Sequence, residues 1–204
     1  MLDELREELI LYNLLRQVFL QEPSRELIEG LIEIVLPPEA DDEISRGLQL
    51  MIDSARRNRS RLSAWKEELA VEFARLFVGP KNPPAVPYAS FYLSESRTLM
   101  TDETVTVRKR YLAAGMVVRN LYSIPDDHIG TELEFVYDLT GRIIRLFEEG
   151  QREEASRLLE IRSDFIRKHM ALWVPLFVEK VIGSARDDFY RGASYILNAS
   201  LSEP

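Results

Sequence analysis

An all-α fold is what this chain predicts, and three observations predict it. Apolar residues recur at helical spacing in one segment after another, as at Leu2, Leu5, Leu9, Tyr12 and Phe19. No run alternates apolar and polar residues for long enough to make a sheet. Prolines and glycines fall where helices must stop, most densely from Gly79 to Pro87. The expected architecture is a single-domain helical bundle over residues 1–204. It should have roughly nine to eleven helices, with a Pro-rich loop near 79–92.

Composition bounds the class. With 204 residues and 46% apolar content the chain has enough to bury a core without staples. The absence of cysteine excludes disulfides, thiolate metal sites and cysteine nucleophiles, and fits a reducing compartment. No apolar stretch approaches the ~18 residues of a membrane span, and the opening Met-Leu-Asp-Glu-Leu-Arg-Glu-Glu has no basic region before an apolar run. The expectation is a cytoplasmic protein with no membrane span. A net charge of −8 argues against a nucleic-acid partner and suits a cationic one.

Each element follows from local signals. The first helix closes before Pro23, and Ser24 offers a cap for a second that ends at Pro37-Pro38. A third runs from about Glu43 to Arg57, with Ile44, Leu48, Met51 and Ile52 on one side. Its basic end (Arg56, Arg57, Arg59, Arg61) is what a helix C-terminus favours. The fourth, Ser63 to Val78, carries the stripe Trp65, Leu69, Phe73, Leu76 and Phe77 and stops at Gly79-Pro80. Pro80, Pro83, Pro84 and Pro87 then stiffen a non-helical loop that presents Tyr88, Phe91 and Tyr92. Helix resumes near Asp102 and runs to about Ala114, with Val105, Val107, Tyr111 and Leu112 as candidate buried positions. From Asp126 a long helix reaches Phe147, and another spans about Glu153 to His169. Pro175 suits the first turn of a penultimate helix, and a last one covers about Ala185 to Leu201.

Chemistry concentrates at Asp126-Asp127-His128-Ile129-Gly130-Thr131-Glu132, directly after Pro125. Two acids at a helix start cap free N–H groups and favour the positive end of the dipole, and His128 and Glu132 share one face a turn apart. No phosphate loop or nucleophile elbow is present. A carboxylate-bridged metal pair wants Glu-x-x-His from two helices, whereas Pro125 and Ile166 precede His128 and His169 by that spacing. A single metal held by Asp127, His128 and Glu132 is the alternative reading. Nothing identifies a nucleophile or an oxyanion site, so the expectation is no enzyme, no catalytic residue and no cofactor.

Four stretches carry a resemblance: Glu72-Phe73-Ala74-Arg75-Leu76-Phe77-Val78-Gly79-Pro80, then Pro87-Tyr88-Ala89-Ser90-Phe91-Tyr92, then Pro125 to Phe135, then Phe165, His169, Trp173 and Pro175 in a Phe-x-x-x-His-x-x-x-Trp-x-Pro pattern. In this order they resemble the TorD/DmsD family of redox-enzyme maturation chaperones. The resemblance implies an all-helical chaperone that binds the twin-arginine signal peptide of a molybdopterin-containing oxidoreductase. Such a chaperone holds the apoprotein in the cytoplasm for cofactor insertion before export. It implies peptide contacts at Leu76, Phe77, Tyr88, Pro125, Asp127 and His128; Pro87 beside Tyr88, and Asp126 and Glu132 as further carboxylates, complete the expected peptide-binding set. It also allows a monomer or a domain-swapped homodimer. One position departs from the pattern: Ala89 stands where the family usually has an acid. The chemistry is consistent, since two guanidinium groups followed by an apolar stretch call for carboxylates beside apolar side chains.

Overall fold

The computed structural model describes residues 1–37, 42–80, 83–95, 97–116 and 125–201. Among them are ten α-helices and no strand, only one isolated antiparallel bridge, between Tyr88 and His128. The helices are α1 (Leu2–Leu20), α2 (Arg25–Glu33), α3 (Glu43–Arg57), α4 (Leu62–Phe73), α5 (Ala89–Leu93), α6 (Asp102–Ala113), α7 (Ile129–Glu148), α8 (Arg152–Phe165), α9 (Ala171–Ser184) and α10 (Asp188–Ala199). A 3₁₀ turn, Arg59–Arg61, precedes α4, and π-helical turns at Ala74–Val78 and Ile166–Met170 follow α4 and α8. No helix of the described residues is long and apolar enough to cross a membrane.

Short polar side chains cap α2, α3 and α10. Ser24 accepts from Leu27 N–H at 3.1 Å, Asp42 from Ser45 N–H at 2.9 Å, and Asp187 from Phe189 N–H at 2.8 Å. Gly79 ends the first π turn at φ +54°, where a Cβ would be strained and would meet the Pro83 backbone at 3.2 Å.

The chain forms two compact units. One comprises Met1–Arg16 and Pro87–Val174; the other comprises Gln17–Val86 and the C-terminal segment from Pro175. In the first, α7 packs on α8, and Tyr111, Phe135 and Phe165 meet at ring distances of 4.5–5.9 Å. Buried Arg162 pairs with Glu8, its guanidinium 5.6 Å from the Tyr12 ring centre. In the second, α3 packs on α10, and Phe77 is ringed by Phe19, Phe73, Phe177 and Tyr190 at 5.2–5.9 Å. Leu76 and Phe77 are both buried in that unit.

Several elements differ from expectation, each for a physical reason. The helix α2 stops at Glu33, ahead of Pro37; Pro38 lies outside the described residues. The Pro-rich loop gives way to helix at Ala89, because Asp127 supplies the missing cap from elsewhere in the chain. The long helix begins at Ile129, not Asp126, since His128 rather than either aspartate is its cap. Pro175 sits in the interior of α9, not in a first turn. In α6 the buried face is Thr104, Val107 and Tyr111, whereas Val105 and Leu112 are exposed at 50% and 55%. Residues 105 and 112 are also seven apart, so α6 carries two apolar faces at helical spacing and sequence alone does not rank them.

Gly47 and Gly192 mark the closest approach of α3 and α10: a Cβ at Gly192 would lie 2.3 Å from the Gly47 carbonyl oxygen. Alanine gains ~1 kcal/mol of helix propensity over glycine, but overpacking against backbone costs ~1–3 kcal/mol or more. Gly192→Ala should therefore lower stability by ~2 kcal/mol. Gly183→Ala, with nothing within 4 Å, should not lower it. Urea unfolding midpoints of the two variants read the difference.

Candidate functional site

The site is built where two extended segments meet. Pro87 O accepts from Ile129 N–H and Asp127 O from Ala89 N–H, both at 2.9 Å, which lays Tyr88 against His128. Their rings meet edge to face at 5.1 Å.

Asp127 is fully buried, and both carboxylate oxygens are used. One accepts from Ser90 N–H at 2.8 Å, capping α5, and the other from the Thr104 hydroxyl at 2.9 Å. Its charge is thus held by donors from two other elements. His128 caps α7: its Nδ1 accepts from Gly130 N–H at 3.0 Å, which puts the ring proton on Nε2. Burial pushes the His128 imidazole down to about 4, against the pull of Asp127, so the ring is neutral at pH 7.

One turn further on, Glu132 is sealed between two residues of the chain's fourth motif. His169 Nε2 lies 2.7 Å from one oxygen, and Trp173 Nε1–H donates to the other at 3.2 Å. Burial raises the Glu132 carboxyl above the usual carboxylate range, although His169 and Trp173 pull it down. Burial alone would lower His169, but the charge and hydrogen bond of Glu132 outweigh it and hold its imidazole above the ordinary value. Both shifts keep a proton on the pair. Trp173 also stacks on Tyr92 at 5.7 Å.

Asp126 differs from its neighbours. Its carbonyl accepts from the Tyr111 hydroxyl at 2.8 Å, and its carboxylate, with its side chain 3% exposed, accepts from Arg108 Nε–H at 2.6 Å. The Arg108 side chain is 40% exposed. Of the acidic residues on this turn, only Asp126 joins a cation that reaches solvent. Pro125, next to Asp126 in sequence, is half-buried, as is Tyr88, which lies across the bridge from His128.

Of the residues singled out in sequence, Pro87, Tyr88, Pro125, Asp126, Asp127, His128 and Glu132 come together in one unit. Leu76 and Phe77 belong to the other. As parts of the site, Ser90, Thr104, Arg108 and Tyr111 are not foreseen from sequence, and His169 and Trp173 enter there only through the fourth motif. One signal points to the last two. Glu132 lies three residues after Ile129, next to the apolar stripe of α7, and a carboxylate on a buried face must find donors. The metal reading is corrected: the oxygens of Asp127 and Glu132 and Nδ1 of His128 already accept internal hydrogen bonds. Among the described residues no group of three or more His, Cys, Asp or Glu side chains is placed to hold a metal.

Comparison with known proteins agrees with the motif pattern. The family model described as nitrate reductase delta subunit matches residues 38–179. The chain is 29% identical over 159 residues to the chaperone protein TorD of Vibrio parahaemolyticus, covering 78% of this chain and 72% of that one. To the chaperone protein TorD of Vibrio cholerae serotype O1 it is 29% identical over 185 residues, 88% and 80% of the two chains. The chain belongs to the TorD/DmsD family of redox-enzyme maturation chaperones. Its class is that of a chaperone and not of an enzyme. Three of the family motifs meet in one place here, since Pro87–Tyr92, Pro125–Phe135 and Phe165–Trp173 supply Asp127, Glu132 and their partners other than the Thr104 hydroxyl.

Two outcomes follow from this geometry. Asp127→Asn leaves one acceptor oxygen for two donors and should lower stability by ~2 kcal/mol, more than an isosteric cap replacement costs. For His128 the folded form resists protonation between pH 6.5 and about 4 while the unfolded chain takes up the proton, so stability falls as pH drops through that window. The loss approaches ~3 kcal/mol by pH 4. His169, held above 6.5, adds no slope there. Urea melts from pH 7 to 4 should show the parent losing more than His128→Gln.

Proposed function

We propose that this chaperone binds the N-terminal twin-arginine signal peptide of a molybdopterin-containing oxidoreductase in the cytoplasm. It holds the apoprotein there while the cofactor is inserted, before export. Membership of the family, with relatives named as TorD chaperones, carries the reading. The chemistry of the Asp126 turn supports it. A nearly sealed carboxylate already seats one guanidinium at the protein surface, half-buried Pro125 precedes it in the chain, and half-buried Tyr88 lies against His128 on the same turn.

In this reading the expected contacts divide by role. Asp126 meets an arginine, and Tyr88 and Pro125 meet apolar peptide. Pro87, Asp127, His128 and Glu132 hold the turn that presents them. Leu76 and Phe77 enter through the apolar interior they build in their own unit. Ala89 is buried and begins α5, so the acid usual there would add charge at a position this chain leaves neutral. Affinity is moderate, because a disordered peptide loses conformational entropy on docking.

Calorimetric titration with synthetic signal peptides tests this. The Arg-Arg peptide should bind more tightly than its Lys-Lys form, which lacks the planar fork, and the Gln-Gln form should bind weakest. Affinity for Arg-Arg should fall with added salt, since partly exposed pairs are screened within ~10 Å at 0.1 M. Equal affinity for Arg-Arg and Gln-Gln would remove the charge component. Asp126→Asn should lose the preference for arginine while retaining apolar binding.

A further inference from the structure

We propose that Arg108 is an internal placeholder for a client arginine: its guanidinium occupies the Asp126 carboxylate in the free protein and yields that seat when a peptide arginine docks. The inference rests on the signal-peptide reading above and adds a specificity device to the same turn.

The two sides of the pair are anchored unequally. Asp126 is held in place, with its carbonyl bound by the Tyr111 hydroxyl and its side chain almost sealed from water. A carboxylate so placed cannot be left to solvent and requires a cation. Arg108 is the less anchored side. It hangs from α6 on a long side chain, 40% exposed, and among the described residues its one hydrogen bond is the single contact from Nε to Asp126 Oδ2.

A permanent guanidinium seat in the same chain looks different. Arg75 grips Glu72 through both Nε and Nη2 at 2.7 Å, and the same Nη2 also donates to the Ser184 carbonyl at 2.7 Å. Glu72 in turn accepts from Arg186 N–H. Arg75 thus has two fixed acceptors and a bidentate grip, whereas Arg108 has one contact and an open side. Replacing Arg108 by a peptide arginine exchanges guanidinium for guanidinium, so the carboxylate is never stripped of its cation. A neutral or acidic peptide has nothing to offer in exchange, and a lysine offers a point charge without the fork. The placeholder therefore weakens all peptides modestly while sparing the seat for arginine.

Arg108→Ala and Arg108→Lys test this, with two readouts on the same preparations. The first is thermal melting with ethylguanidinium, against ethylammonium at equal ionic strength. Arg108→Ala should melt below the parent and recover selectively with ethylguanidinium, and the parent should show no such selectivity. The second is titration with the Arg-Arg peptide. Removing the competitor should tighten binding about two- to fivefold, the factor by which a half-exposed ion pair competes. Arg108→Lys, which keeps the charge, should fold as the parent does and fall between the two. A parent that fails to bind the Arg-Arg peptide removes the proposed function. A parent that binds it, with both variants binding equally or more weakly, overturns the placeholder, as does recovery by ethylammonium as strong as by ethylguanidinium.

Discussion

Two buried carboxylates five residues apart, Asp127 and Glu132, govern the unit that contains them. A carboxylate without water costs several kcal/mol unless donors surround it. Here the donors come from α5, α6, the π turn after α8 and α9. Satisfying two charges therefore fixes the relative placement of segments far apart in sequence. The turn between Pro125 and Ile129 is held from both sides as a consequence, and His128 closes it by capping α7 with a neutral ring.

The other unit uses the same device. Asp187 accepts from the Ser54 hydroxyl, from Trp65 Nε1–H and from Phe189 N–H, which ties α3 and α4 to the start of α10. Glu72 does likewise for Arg75 and the Arg186 N–H. In an acidic chain, part of the negative charge is thus spent inside as connectors between helices. Asp126 stands apart from these hubs, because its one cation is half-exposed and singly bound. On the proposed reading, that difference separates a carboxylate that holds the fold from one that meets a partner.

The helices were legible because their signals are local. Ser24 capped α2 and Gly79 ended the turn after α4, and the apolar stripe of α4 lay on the buried side. The π turn at Ile166–Met170 was not legible, since its widened ring follows from hydrogen bonding and not from composition. The site was half legible. Its acidic turn and the His-x-x-x-Trp motif were visible as separate stretches, but which carboxylate faces inward depends on partners such as Thr104 and Ser90 that carry no signal of their own.

What the sequence determined by itself was the helical class, most helix boundaries and the motifs that place the chain among its relatives. These depend on periodicity, caps and breakers within a few residues. Only the tertiary structure decided that Asp127 and Glu132 are consumed internally, that His128 is uncharged, and that Asp126 meets a cation at the surface. The reason is that burial and charge pairing are set by residues tens of positions away, and a side chain's chemistry in water does not reveal which neighbours will replace the water.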